Sequence, residues 1–472
     1  MPSSPQHAAS DEPSGTSPTG RSPWRVELRL RARRRLDRRR AVGDARWGRP
    51  RTDHRPVYLI APAGHPNHGD EQLLAGWLRH LRHRLPGTPV VVDCHTPGQA
   101  AVLHHSEHPD VLFTDTLWRL AAECPDADAA VEFGRRAVAD PGVRPAVASG
   151  IELALSASVV HLIGGGYVND QWPHHLGVAA AAGEVGRRSG ARVVATGQGL
   201  VPCGDVARLA DALRDYDLVA VRDTASLDLL TGTGTGHDVP VRLVGDDGWL
   251  ALSTAGGLES VADGHGLIDH PAYSSDPDTC RDLVLCAQSD LADPHAVAET
   301  VARVLADWAV PGERMSVVEA IPGGDRVVWD LVCARETAAS HDVAGGGNGD
   351  DDDEVGRALA ALQLHRARFV PFQEVWAEGL PARPGQTWLT TRFHPHLFAA
   401  ARGASGVALR TGSGYYDVKH GSLVSAGSPW PAIGLADEAA PDVPDTGGFD
   451  PETVTARVRA AESLAEEIYP LR

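Results

Sequence analysis

The chain has 472 residues, 42% of them hydrophobic, which is enough to bury at least two cores and fits an ordinary soluble protein of two or three domains. A formal net charge of -18 argues against a broad nucleic-acid-binding face, although a few local arginines can still set the field of a cleft for a small anion. Cys94, Cys124, Cys203, Cys280, Cys286 and Cys333 form no CxxC pair and no cluster with histidines at metal-finger spacing, so no metal site is expected and the scattered thiols fit a reducing cytoplasm.

Residues 1–50 read as a flexible, basic extension. "MPSSPQHAASDEPSGTSPTGRSP" is rich in serine and proline and cannot build a core, and "RLRARRRLDRRR" adds a basic stripe. No apolar stretch of signal-peptide length follows those arginines. The stripe is read as a solvated basic helix, with peripheral contact at an inner membrane surface as the other reading.

From Val57 onward strands alternate with helices. Strands are predicted at "VYLIA", "PVVVD" (89–93), "VVHLIGG" (159–165), "RVVATG" (192–197) and "LVAVR" (218–222), and helices near 70–84, 174–188 and 205–214. A second series follows with "VRLVG" (241–245), "DLVLCAQ" (282–288), "MSVVEA" (315–320), "VVWDLVC" (327–333), "ARFVPF" (367–372) and "TWLTTR" (387–392), with helices near 295–309, 355–365 and 394–402. Apolar strands alternating with helices imply parallel sheets covered on both faces. The turn-rich "TGTGTGHDVP" divides an N-terminal α/β domain (51–235) from a C-terminal one (236–440), followed by a linker and helix (441–472) packed across both. The segment 253–279 and the acidic "HDVAGGGNGDDDDEVG" (341–356) are read as solvated loops.

Ligands of open parallel sheets lie beyond the carboxyl ends of the strands, and the polar clusters of this chain fall there. "GHPNHGDEQLL" follows the first strand: Gly64 and Gly69 permit close backbone approach, and Asp70 with Glu71 at the helix start favours a hydroxyl-rich ligand over a phosphate, with helix capping as the plain alternative. "LIGGGYVND" offers Asn169 and Asp170 either to sugar hydroxyls or to their own turn. In "ATGQGLVP", Gln198 orients a ligand or bridges loops. "VRDTASLDLL" sets Arg222 at a strand end, where its fork suits a carboxylate or phosphate or an ion pair across the domain. In the second domain "TTRFHPHLFAA" brings Arg392 and His394 to a strand end, and "GSGYYDVKHGS" brings Tyr416, Asp417 and Lys419 onto the next loop. Arginine and lysine can neutralise a multiply charged ligand while a histidine moves a proton.

In this order the motifs "NHGDEQLLAGWLRHLR", "GGGYVND", "GQGLVP", "VRDTASLDLL", "RFHPHLFAA" and "GYYDVKHGSL" resemble the polysaccharide pyruvyl transferase family, from about Val57 to Leu435. The resemblance implies two Rossmann-like domains facing a cleft, as in a two-lobed glycosyltransferase fold. It implies transfer of the pyruvyl group of phosphoenolpyruvate to two hydroxyls of a sugar or glycan, forming a ketal, with no metal or other cofactor. His394 matches the catalytic histidine and Arg392 the anion binder before it. Arg222 matches the arginine of the middle motif, Lys419 the late lysine, and Asp70 the acidic residue facing the sugar. Where the family often carries a proline-aspartate-proline segment, this chain has "GDDGWLAL" (245–252).

Three other classes share the pattern of elements. A nucleotide-sugar-dependent glycosyltransferase would use the same cleft but calls for a ribose-binding carboxylate, for which Glu374 and Glu378 are available. A noncatalytic carbohydrate-binding protein would not depend on His394. A dinucleotide oxidoreductase requires the spaced glycine fingerprint that these loops lack.

Overall fold

The computed structural model describes residues 55–232, 238–253, 267, 270–288, 292–345, 354–412, 414–435, 437 and 439–471. The N-terminal extension, most of the 253–279 segment and the acidic run at 350–353 lie outside the described residues. Among the described residues thirteen strands follow in chain order: β1 Val57–Ile60, β2 Val90–Asp93, β3 Val111–Thr114, β4 Val159–Leu162, β5 Arg192–Gln198, β6 Leu218–Val221, β7 Val241–Leu243, β8 Leu283–Cys286, β9 Met315–Val318, β10 Arg368–Val370, β11 Thr387–Thr390, β12 Ser405–Arg410 and β13 Ala432–Gly434.

These make two parallel sheets flanked by helices, ordered β3-β2-β1-β4-β5-β6-β7 and β10-β9-β8-β11-β12-β13. The strands are short and apolar because helices cover both faces: all four residues of β1, β2 and β6 are buried. In each sheet the order reverses direction between two central neighbours, β1 and β4 in the first and β8 and β11 in the second. At such a switch the loops leave to opposite faces and open a crevice at the carboxyl edge.

Three sequence expectations are corrected. The "VRLVG" segment belongs to the first sheet, since Val219 pairs with Val241 and Val221 with Leu243, so the first lobe extends past the expected boundary at 235. "VVWDLVC" is not a strand but lies in the helix Arg326–Gly345. Its buried residues Val328, Trp329, Val332 and Glu336 recur at helical spacing, whereas Val327 is 44% exposed, and a short apolar run does not by itself separate the two periods. Lys419 lies on the helix Gly414–Ser425 rather than on a loop.

The C-terminal helix Pro451–Ile468 bridges the two cores. Val454 and Val458 join Trp249, Phe398 and Phe449 of the second lobe, while Leu464, Ile468 and the following Tyr469 pack with Trp77 and Leu78 of the first. Among the described residues no helix is long and apolar enough to cross a membrane.

Candidate active site

The helix His68–Arg84 begins just beyond β1 at the first switch point, and the helix Phe393–Ala401 just beyond β11 at the second. The two helix starts meet. A Cβ placed on Gly69 would come within 1.9 Å of His394 Nδ1, so only glycine lets the imidazole lie against this turn. The His68 amide also donates to the Ala320 carbonyl across the lobes at 2.9 Å.

Around His394 stand charged groups from distant segments. His394 Nε2 lies 3.4 Å from Asp246 Oδ1, and the other oxygen of that carboxylate lies 3.6 Å from Arg222 Nη1. Burial alone would raise the Asp246 carboxyl, but His394, Arg222 and the Gly248 N–H outweigh it and hold it below the usual carboxylate range. Asp246 is therefore an anion at neutral pH, fixed by the Gly248 amide at 2.8 Å. Arg222 lies over the Phe393 ring at 4.7 Å and contacts Asp223 at 3.4 Å. A Cβ on Gly199 would strike its guanidinium at 2.4 Å, which is the physical use of the glycine in "GQGLVP".

Asp70 is half-buried and accepts from Asn67 Nδ2 at 2.8 Å. Burial raises its carboxyl above the usual range, opposed by His394 and Lys419, so both side chains lie within its electrostatic reach. The neighbouring Glu71 faces inward instead, accepting from the Gly64 amide at 2.9 Å and pairing with His104 Nε2 at 2.6 Å.

Arg392 is placed differently from Arg222. Its Nε reaches both Asp325 oxygens, at 2.9 and 3.0 Å, and its Nη2 also bonds that carboxylate. Asp325 in turn accepts from the Ala320 and Ile321 amides at 2.7 and 3.0 Å. Arg392 thus locks the loop beyond β9 to the loop beyond β11. His68, fully buried with no hydrogen-bond partner on either ring nitrogen, is lowered to about 3, first by burial and then by the charges of His394 and Arg392. It is a neutral side chain close to both.

His396 is a packing histidine. Its ring stacks on Trp430 at 4.4 Å, and its nitrogens contact His420 Nδ1 at 3.1 Å and Ser428 Oγ at 2.7 Å. His420 Nε2 must donate to the Thr391 carbonyl, 3.1 Å away, so in the neutral pair His396 Nδ1–H donates to His420 Nδ1 and Ser428 O–H donates to His396 Nε2. Burial lowers both, His420 to about 4, and keeps the chain of bonds neutral. This chain braces the turn that aims His394.

Other polar residues singled out in the sequence serve their own loops. Asn169 donates to the Gly166 carbonyl and accepts from Gln171, Asp170 accepts from Gly204, and Gln198 Nε2 donates to the Ile163 carbonyl at 2.8 Å. Glu374 is paired with Arg368. The side chains of Tyr416 and Asp417 lie outside the described residues.

Sequence reasoning missed Asp246 and Asp325. "GDDGWLAL" carried a signal, two adjacent carboxylates right after a strand. The second, Asp247, accepts from Trp77 Nε1 and Thr196 Oγ1 at 2.7 Å each and from the Gly164 amide at 2.8 Å, and burial pushes it up to about 6. Asp325 follows a pair of glycines just before the helix Arg326–Gly345, and nothing local marks it.

The family model that matches this chain is polysaccharide pyruvyl transferase, over residues 67–296. The chain therefore contains a polysaccharide pyruvyl transferase domain. The pyruvyl transferase match makes it a transferase-like enzyme and includes Asp70, Arg222 and Asp246; Arg392, His394 and Lys419 lie beyond the matched span. No curated protein matches in sequence. Among solved structures, the N-terminal domain of trehalose-6-phosphate phosphatase from Candida albicans is 10% identical, with 89% of this chain and 93% of that one covered and a TM-score of 0.42. UDP-GlcNAc 2-epimerase from Methanocaldococcus jannaschii is 10% identical over 85% and 91% of the two chains, with a TM-score of 0.40. These are likenesses of overall architecture. Among the described residues no group of three or more histidine, cysteine or acidic side chains is arranged to hold a metal ion.

Proposed function

We propose that this transferase moves the pyruvyl group of phosphoenolpyruvate onto two hydroxyls of a sugar or glycan, closing a cyclic ketal and releasing inorganic phosphate. The observation that carries this reading is the seating of His394 on Gly69, between the carboxylates of Asp246 and Asp70. A proton donor, an anion that stabilises its cationic form and a second carboxylate poised to take a proton stand at one point between two sheets.

His394 as imidazolium donates its proton to the donor's methylene carbon, which becomes a methyl group and leaves C2 electron-poor. The first hydroxyl oxygen bonds C2, and its proton passes to Asp70, whose raised affinity for a proton suits that task. The bond from C2 to the phosphate oxygen then breaks, the phosphate leaving with the electron pair and taking the proton from Asp70. The second hydroxyl bonds C2 and returns its proton to His394. Protons and charge balance without a further reactant.

The donor carries a carboxylate and a phosphate. Arg222, held by long contacts at 3.4 and 3.6 Å, and Lys419 bind these anions, while Arg392 adds its charge from the pair with Asp325. Fixed cations of this kind stabilise developing charge as well as binding. We place the reaction in the cytoplasm, where all six cysteines would keep the free state they have here.

The test compares His394→Ala with the parent protein. Calorimetry should show phosphoenolpyruvate affinity largely kept, while phosphate release and mass detection of a pyruvylated acceptor are lost, because the missing group acts in the transition state. Full turnover by the variant would remove His394 from the chemistry. Phosphate release without a ketal product would defeat the transferase reading.

A further inference from the structure

We propose that the acceptor is an uncharged sugar whose ring face lies on a platform of aromatic and imidazole rings, built at the carboxyl edge of the first sheet by His95, Trp118, Tyr167, Trp172, His174 and His175. The proposal rests on the pyruvyl-transfer reading only in taking the acceptor to be a sugar.

The platform comes from the loops after β2, β3 and β4, which share one edge of the sheet with the loop that carries Asp70. Trp118 and Tyr167, 3% and 6% exposed, form its floor, with ring centroids 5.4 Å apart. Above them His95 is exposed and Trp172 and His174 are half-buried. His95 lies 3.9 Å from Trp118, His175 lies 4.9 Å from Trp118, and Trp172 stacks on His175 at 6.2 Å and 12°. A core cluster would bury all of these rings; here one layer is covered and the layer over it faces solvent.

The floor is rigid because its polar tips are bonded to backbone. Trp118 Nε1–H donates to the Asp93 carbonyl at 3.1 Å, and Tyr167 O–H to the Ile163 carbonyl at 2.6 Å. His175 Nδ1–H donates to the Tyr167 carbonyl at 2.8 Å, which leaves Nε2 of the neutral ring as an acceptor. The negative ring faces suit the weakly positive C–H face of a pyranose, and imidazole and amide groups at the rim suit its hydroxyls.

Charge decides the class of sugar. Burial lowers His175 to about 3 and His174 below its ordinary value, so these two imidazoles are neutral at neutral pH. The loops 61–72, 94–104 and 163–176 contain Asp70, Glu71 and Asp170 and no lysine or arginine. On these three loops a uronate or phosphorylated acceptor would meet carboxylates and no counter-ion; Arg119 after β3 is paired with Asp115, and Arg222 after β6 with Asp223 and Asp246. β2 and β4 flank β1, so the loops that carry His95 and Trp172 border the loop that carries Asp70, and a ring on the platform lies at that border.

The full-length protein, without donor, is titrated with methyl hexopyranosides and the corresponding methyl hexuronides and followed by saturation-transfer NMR. Neutral glycosides should receive saturation mainly at C–H groups of one ring face, and hexuronides should bind at least 10-fold more weakly. Trp172→Ala and the exposed-site variant His95→Ala should each weaken the neutral glycosides at least 10-fold with phosphoenolpyruvate affinity unchanged, and His95→Ala should also leave the thermal midpoint unchanged. Tighter binding of hexuronides, no binding of any glycoside, or parental binding by both variants overturns the proposal. If neutral glycosides bind the platform but no ketal forms with donor, the transferase reading fails and the platform stands. If ketal forms on a hexuronide, the platform inference fails and the transferase reading stands.

Discussion

Asp246→Asn isolates one charge at the centre of the site. The two side chains are nearly the same size, and asparagine can keep the bond from the Gly248 amide, so packing changes little. What is lost is a carboxylate 3.4 Å from His394 Nε2, a pair whose side chains are 10% and 2% exposed and so escape most solvent screening. At an effective dielectric constant of about 20, the attraction at that separation is about 5 kcal/mol. Much of it offsets the cost of burying the charges, leaving a net effect of about 1 to 3 kcal/mol on the imidazolium. As general acid His394 must carry the proton it gives to the donor, and Asp246 is the anion that steadies that form, so its removal should lower kcat/KM while phosphoenolpyruvate affinity is largely kept. At pH 7 the loss should be about 10- to 100-fold. The assay is continuous phosphate release from phosphoenolpyruvate and a pyranoside acceptor between pH 5 and 9, with donor affinity measured separately. A purely structural role for Asp246 would lower the thermal midpoint and donor affinity along with activity. Parental turnover by the folded variant would refute the coupling of Asp246 to His394.

The two arginines should separate by readout. Arg222→Ala should weaken phosphoenolpyruvate binding at least 10-fold in calorimetry, and because it leaves Asp223 and Asp246 buried without their cation it should lower the thermal midpoint as well. Arg392→Ala leaves Asp325 buried and unpaired, so it should cost about 3 to 5 kcal/mol of stability in denaturant titration, and Arg392→Lys should restore little of it because a lysine cannot span both oxygens. Gly69→Ala puts a methyl group 1.9 Å from His394 Nδ1, so turnover should fall at least 10-fold while far-ultraviolet circular dichroism stays that of the parent; parental turnover would show that the two helix starts do not work in contact. His396→Ala should destabilise by about 2 kcal/mol or more through the cavity beside Trp430 and the stranded Ser428 and His420, yet keep more turnover than His394→Ala.

The sequence by itself determined the class of fold and the places where chemistry could occur. Short apolar runs such as "VYLI" and "VVV", repeated between helical stretches, fit strands covered on both faces, and the turn residues that follow them mark strand ends where backbone and ligand approach closely. Asp70, Arg222 and His394 were legible because each stands at such an end. Tertiary structure decided what each one touches. Arg222 and Arg392 look alike in sequence, a cation closing a strand, yet one is held loosely by Asp246 and the other tightly by Asp325. Asp247 belongs to the first lobe's core while the adjacent Asp246 faces the second lobe's histidine. The strand at 241–243 joined the first sheet, and 326–345 became a helix, because sheet pairing and the covering of a core are settled by partners far away along the chain. Local pattern reports which face of a segment must be buried. Which carboxylate meets which cation depends on distances of a few ångströms between segments that only packing brings together.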